Sequence, residues 1–345
     1  MKNKIYILLA VLLGFSVVGW MVYKDFDQLD FSVIQLDRWQ LWLSFALALL
    51  FFVSQNFFMT CRYKFLTRDL LNWRQVFRVN VLCEFTSAVT PSSVGGSGLI
   101  FLYLYKEGVS AGKSTAVMIA SLFLDELFLC VSCALLALLF PVDELFGGGW
   151  WLTSSVKWIY AIVVAVVALW TLFLYLALFC KPDWVRSVLL TVFSLPLLRR
   201  VKERVRKLSD DLVTSSHEMS RLGLAYWLKA LGITALSWCS RYAVAVALLL
   251  AFTTRGNLWL AYARQWVLWM ISLVSPTPGG SGVSEFMFKV YYADFFSAGD
   301  VATTLLVIVL WRLITYYSYL VVGISIVPRW LKGIRSAFFG QRDQG

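Results

Sequence analysis

Glu84, Asp125, Glu126, Arg241, Arg264, Glu285, Lys289 and Arg312 all sit within long apolar runs of this 345-residue chain. A charge at the centre of a bilayer costs at least ~2.5 kcal/mol, so each needs an opposite charge, a wet cavity or a ligand. Arg241 and Arg264 have the chemistry to grip phosphate oxygens, because a guanidinium stays charged and can donate two parallel hydrogen bonds. Glu84 and Glu285 fit gating or proton carriage. Asp125, Glu126 or Glu285 would equally fit acid–base chemistry on a lipid-linked substrate. An internal salt bridge that only holds the chain together is the plain alternative for any one of these residues.

Two nearly identical words lie among these charges. Residues 90–98 read TPSSVGGSG and residues 275–285 read SPTPGGSGVSE. Broken backbone in hydrocarbon leaves amide and carbonyl groups unpaired at several kcal/mol each, so such words survive only where protein or a polar cavity satisfies them. Glycine-rich amides near a half-helix N-terminus suit an anion such as phosphate. Asp125 follows the first GGSG by about the distance at which Arg312 follows the second, which predicts that these two charges face each other across a pseudo-twofold axis.

The elements that must carry these residues follow from hydropathy. With 60% hydrophobic side chains and a mean hydropathy of +0.73, the chain holds more apolar surface than one soluble core hides. Apolar stretches of spanning length, roughly 20 residues, occur at 5–23, 39–60, 114–140, 156–180, 224–252 and 301–327. Segments 75–105 and 258–292 are also apolar, but each is cut by one of the two words and reads as two half-helices. The expected fold is all-α and integral to the membrane, with six full spans.

Charge bias orients the spans. The loop 24–38 is rich in aspartate, whereas Arg62, Lys64, Arg68 and Arg74 mark the next loop as cytoplasmic. Keeping Asp143 and Glu144 outside and the basic stretch 181–222 inside requires segment 75–105 to enter and return on one side. The same test returns segment 258–292 to the other side. Two oppositely oriented re-entrant hairpins in inverted repeats result, with 1–140 as the first half and 156–327 as the second. Both termini, including the tail 328–345, are expected in the cytoplasm.

Other classes of function find little footing. The six cysteines lie in or beside apolar segments, and Cys130 and Cys133 share one helix face, so neither a disulfide framework nor a metal site is indicated. His217 is the single histidine and lies in a polar stretch, which disfavours histidine-based hydrolysis and zinc motifs. No phosphate-loop motif supplies ATP as a fuel, and no cofactor is expected. Between Arg199 and Lys207 six of nine residues are basic, and apolar residues recur at helical spacing. That pattern fits an amphipathic helix on the inner membrane surface, or a basic loop that fixes topology, rather than a nucleic-acid site.

TPSSVGGSGLIFLYLYKEGVSAGKSTA and SPTPGGSGVSEFMFKVYY resemble the two signature segments of the lysylphosphatidylglycerol synthase transmembrane-region family of flippase-like membrane proteins. The resemblance covers about residues 5–330. It places Pro91, Gly95 and Gly96 in the first turn, and Pro276, Pro278, Gly279, Gly280, Gly282 and Glu285 in the second. It implies movement of phospholipids or lipid-linked molecules between leaflets without ATP, with membrane lipids as partners and anionic headgroups favoured. Some members carry a fused aminoacyltransferase; this chain ends after its last span, so that activity is not carried over. An embedded enzyme acting on lipid-linked substrates, or a scaffold for a separate lipid-modifying enzyme, remain open as alternatives. A bacterial cytoplasmic membrane is the expected location.

Overall fold

The computed structural model describes residues 38–90, 96–146, 150–180, 202–252, 257–297 and 300–339, with a few isolated positions elsewhere. The expected span 5–23, most of 181–201, and Pro91 and Gly95 of the first turn lie outside the described residues. The chain is helical: α1 (Arg38–Leu66), α2 (Trp73–Val89), α3 (Ile100–Lys106), α4 (Ala111–Leu139), α5 (Val142–Phe146) and α6 (Trp150–Tyr175) come first. They are followed by α7 (Lys202–Ser220), α8 (Leu224–Phe252), α9 (Leu258–Leu273), α10 (Val283–Tyr291), α11 (Val301–Arg312) and α12 (Ser318–Phe339).

Among the described residues five helices are long and apolar enough to cross a bilayer: Trp39–Leu66, Ala111–Leu139, Lys157–Cys180, Leu224–Phe252 and Val301–Val327. The last joins α11 to α12 through a π-turn at Leu313–Tyr317. Large apolar side chains point outward from these helices; Leu138 is 83% exposed and Leu169 68%. Such a belt is stable only where the surrounding solvent is lipid.

Polar caps set where several helices begin. Asn72 and Gln75 form a capping box at the start of α2, each accepting the other's backbone N–H at 3.0 Å. The Asn257 side chain accepts from Trp259 N at 2.9 Å to start α9, and Asp300 accepts from Thr303 N at 3.1 Å to start α11.

The order long helix, broken pair, long helix occurs twice: α1, α2–α3, α4, and then α8, α9–α10, α11–α12. The helices of the broken pairs are 17, 7, 16 and 9 residues long. At 1.5 Å per residue each falls short of the ~30 Å hydrocarbon thickness. In each pair the chain doubles back. Gln75 Nε2 donates to the Glu107 carbonyl at 3.1 Å, and Arg78 pairs with Glu107 at 2.8 Å, which joins the start of α2 to the end of α3. Gln265 donates to the Tyr292 hydroxyl at 2.9 Å, and that hydroxyl donates to the Ala261 carbonyl at 2.6 Å, which joins α9 to the end of α10.

The leading helices of the two series, α1 and α8, pack along much of their length, and α12 lies on α2. One apolar core gathers α8, α9, α10 and α11, while another gathers α2, α3 and α4 with the C-terminal end of α1. Part of the basic stretch forms α7, which packs against α4 with Ser216 and Met219 buried. Gly112 permits that approach: a Cβ there would come within 2.3 Å of the Asp211 Cβ.

Candidate functional site

The two glycine-rich turns meet in the middle of the molecule. Gly279 N donates to the Thr90 carbonyl at 3.2 Å, and the Tyr316 hydroxyl donates to the Ala88 carbonyl at 3.2 Å. Gly279, Gly280 and Gly282 have φ of 55°, 70° and 90°, values that side chains with a Cβ adopt at a cost. A Cβ on Gly279 would also lie 2.4 Å from the Tyr316 ring. In the first turn Gly96 N donates to Ser87 Oγ at 3.0 Å, and a Cβ there would strike the Cys83 carbonyl oxygen at 1.9 Å. Glycine thus lets backbone approach backbone within the first broken pair, at Gly96, and between the two pairs, at Gly279.

Three ion pairs, two buried and one partly buried, surround this meeting point. Arg62 grips Asp125 with two hydrogen bonds, the second at 3.0 Å, and Asp125 Oδ1 also accepts from the Trp238 indole at 2.6 Å. Arg312 Nε donates to Glu285 Oε1 at 2.6 Å, while Glu285 Oε2 accepts from Gly282 N at 2.7 Å and caps α10. One carboxylate thus fixes both the second turn and the last long helix. The π-turn that follows Arg312 brings Tyr316 under the guanidinium, 4.5 Å from the ring centroid. Arg241 pairs with Glu84 and lies between the Trp238 and Trp269 rings at 5.2 and 5.3 Å. With its amide oxygen turned toward Arg241, Gln55 accepts from Nη2 at 2.8 Å and from Nε at 3.2 Å, and from the Tyr319 hydroxyl at 2.9 Å.

Two small cavities flank the Glu84–Arg241 pair. One, of about 80 Å³, is lined by Gly279, Ser284, Arg312, Tyr316 and Tyr319 on the side of the second turn. The other, of about 50 Å³, is lined by Ser97, Arg62, Asp125 and Glu126 on the side of the first turn. Glu84, Ser87, Arg241 and Trp269 line both and form the wall between them. Each has room for a few waters. The larger presents two guanidiniums, Arg241 and Arg312, held by the Glu84 and Glu285 carboxylates, so an anion entering it must compete with those carboxylates for the arginines. The smaller sets three carboxyls against two guanidiniums, and Glu126 Oε2 is buried there with no hydrogen-bond partner among the described residues.

Three sequence expectations change. Asp125 and Arg312 do not face each other: each has a partner inside its own series, Arg62 and Glu285 respectively. Arg264 is not at either cavity. Its guanidinium donates to the Glu144 carbonyl at 2.9 and 2.7 Å, to the Tyr291 carbonyl and to Asp294 at 2.6 Å, closing the base of the α9–α10 pair. Arg62, expected in a cytoplasmic loop, is 1% exposed inside α1, because the helix continues to Leu66 after the apolar run has ended. Pro276 and Pro278 lie in the second turn beside Gly279 and Gly280, while Glu84, Arg241, Gly279 and Arg312 converge on the larger cavity. Trp269 in the wall, Gln55 beside Arg241 and Tyr319 at the larger cavity are new: aromatic and amide side chains in an apolar run carry no periodic signal that marks them.

Residues 7–323 match the family described as the lysylphosphatidylglycerol synthase TM region. The chain is also 24% identical over 335 residues to a UPF0104 membrane protein of Archaeoglobus fulgidus, covering 92% of this chain and 94% of that protein. Both similarities run through the two series of helices and the turns that join at the cavities, so the chain belongs to the lysylphosphatidylglycerol synthase TM region family.

Proposed function

We propose that this protein moves a lipid with an anionic headgroup between the two leaflets without ATP, as a flippase. The observation that carries the reading is the pair of small cavities on opposite sides of one ion pair, at the point where two broken helix pairs meet. An arrangement of this kind can present a site to one side and then to the other when the halves rock. The headgroup phosphate binds Arg241 and Arg312, and the acyl chains stay in lipid. Glu84 and Glu285 hold the two arginines when no headgroup is present. Asp125 and Glu126 shape the second cavity.

The same reading completes the topology. Five long helices and the span 5–23 cross a bacterial cytoplasmic membrane, and the broken pairs enter from opposite faces as re-entrant hairpins. The arginine- and lysine-rich ends, with both termini, face the cytoplasm. Reconstituted protein with fluorescent phospholipids and isoprenoid phosphates, followed by outer-leaflet quenching, tests it. Accelerated loss of protection for one lipid class, abolished by Gly279→Leu with Gly280→Leu, is the expected result. Folded protein that accelerates none of them refutes lipid movement, and a new chemical product in the extract would turn the reading to an embedded enzyme.

A further inference from the structure

The outer face formed by α1, α2, α3 and α12 carries two adjoining hollows that the central cavities do not use. At the end of α2 that bears the basic loop, a cavity of about 560 Å³ is lined by Arg74, Arg78, Lys106, Glu107 and Trp330. Three cations face one carboxylate there. Arg78 is paired with Glu107, but Arg74 is exposed and has no partner among the described residues. Lys106 lies 4.0 Å over the Trp330 ring and donates to the Trp330 carbonyl, and desolvation holds its ammonium below the ordinary value. Trp330 is 9% exposed, and its indole N–H is a buried donor without an acceptor among the described residues. A pocket with surplus positive charge on its walls favours an anion.

Phe77 also lines a second hollow, of about 510 Å³, bounded by Val53, Phe57, Val81 and Val322 and almost wholly apolar. Val53, Phe57 and Phe77 are each at least half exposed, so the hollow opens sideways to the hydrocarbon. Its far wall is Tyr319, which also lines the larger central cavity. A charged pocket at the membrane surface continuous with an apolar trough below it has the shape and polarity of one phospholipid.

We propose that this face binds an anionic phospholipid from the leaflet on the side of the basic loops. The phosphate sits against Arg74, Arg78 and Lys106, and one acyl chain lies along the trough toward Tyr319. The binding depends only on the chain's seat in a membrane. Its use as a loading position for the central cavity rests on the transport reading above.

The test is photo-crosslinking of the full-length protein in phosphatidylcholine nanodiscs, using trace phosphatidylglycerol or phosphatidylcholine with the same photoactivatable tail. Phosphatidylglycerol is expected to label Phe57, Phe77 and Val322 well above phosphatidylcholine. Arg74→Gln with Lys106→Gln should lower that labelling roughly 25-fold, at about fivefold for each basic residue. Labelling of Ile162 and Leu169 on α6 should not change. Val53→Trp, at a 61% exposed position, fills the trough without touching a charge and should displace the tail label. Equal labelling by both lipids, or full labelling in the double variant, overturns the site. Displacement by millimolar glycerol phosphate would mean that it reads phosphate alone and also overturns it. Specific labelling in protein that moves no lipid would leave this site standing and remove the transport reading, whereas lipid movement without such labelling does the reverse.

Discussion

Replacing Gly279 by alanine should pull the two turns apart, and the size of the effect can be worked from the geometry. Gly279 has φ 55°, where alanine costs roughly 1–2 kcal/mol. Its Cβ would lie 2.4 Å from Tyr316 Cε2 and 3.1 Å from the Ala88 carbonyl oxygen. The ring has little freedom to retreat: Tyr316 is 3% exposed, lies under Arg312, and holds the Ala88 carbonyl through its hydroxyl. Overpacking of this kind costs about 1–3 kcal/mol, so the whole loss is about 2–5 kcal/mol. Tyr316→Ala alone should cost about 3–5 kcal/mol by leaving a cavity. In the double variant the clash disappears while the strain at φ remains, so the pair should be about 1–3 kcal/mol less damaging than the sum of the singles. Reversible unfolding by a denaturing detergent in mixed micelles measures all four corners of the cycle. A Gly279→Ala protein within about 0.5 kcal/mol of the parent, or strict additivity, would refute the claim that this glycine is required by the contact between the turns.

Glu84→Gln should loosen the wall between the cavities: a cysteine at Ser87 should then react with a small aqueous thiol reagent faster than in the parent, and an unchanged rate counts against the wall. Arg62→Gln and Asp125→Asn should each destabilise by about 3–5 kcal/mol, because each leaves a buried charge unpaired, while Arg62→Met with Asp125→Leu recovers most of the loss. Additive losses in unfolding measurements would argue against a closed pair. Glu285→Gln keeps an oxygen to cap Gly282 N, whereas Glu285→Leu does not, so the leucine variant should be less stable by about 1 kcal/mol. Equal midpoints would show that the cap contributes nothing.

Hydropathy located the long helices because the membrane selects for apolar length, and that selection acts on contiguous residues. The run ending near residue 60 was followed closely by α1, but the helix continues through Arg62 to Leu66. A window that averages hydropathy stops at the first cluster of charges, and it cannot tell a charge in a loop from one buried against Asp125. The two words at 90–98 and 275–285 were legible because glycine and proline act locally on φ and on the N–H supply. Ion-pair partners were not. Equal spacing from the two GGSG words made Asp125 and Arg312 look like mates, yet pairing depends on helix rotation and crossing, which spacing along one chain leaves open. The π-turn after Arg312 shifts that rotation further, and TYYSY reads as ordinary helix in the sequence.

How strongly the ion pairs are held bears on how the proposed rocking could begin. Arg62–Asp125 and Arg312–Glu285 each stay within one series, have a side chain only 1% exposed, and carry additional hydrogen bonds on the carboxylate. Breaking either would strand a charge in the interior. Glu84–Arg241 joins the first series to the second, its side chains are 12% and 18% exposed, and it borders both cavities. The contacts that cross between the turns beside it, Gly279 N to Thr90 O and Tyr316 Oη to Ala88 O, are single neutral hydrogen bonds worth about 0.5–1.5 kcal/mol each. The contacts that cross at the turns are thus weaker than the ion pairs within either series, while α1 on α8, α12 on α2 and the Trp238–Asp125 hydrogen bond keep the series joined. On the transport reading, a phosphate entering the larger cavity competes with Glu84 for Arg241, and the charge it brings replaces the one it displaces. The substrate thereby offsets the cost of opening the wall, and a zwitterionic or neutral lipid, offering Arg241 less net charge in exchange, opens it less often.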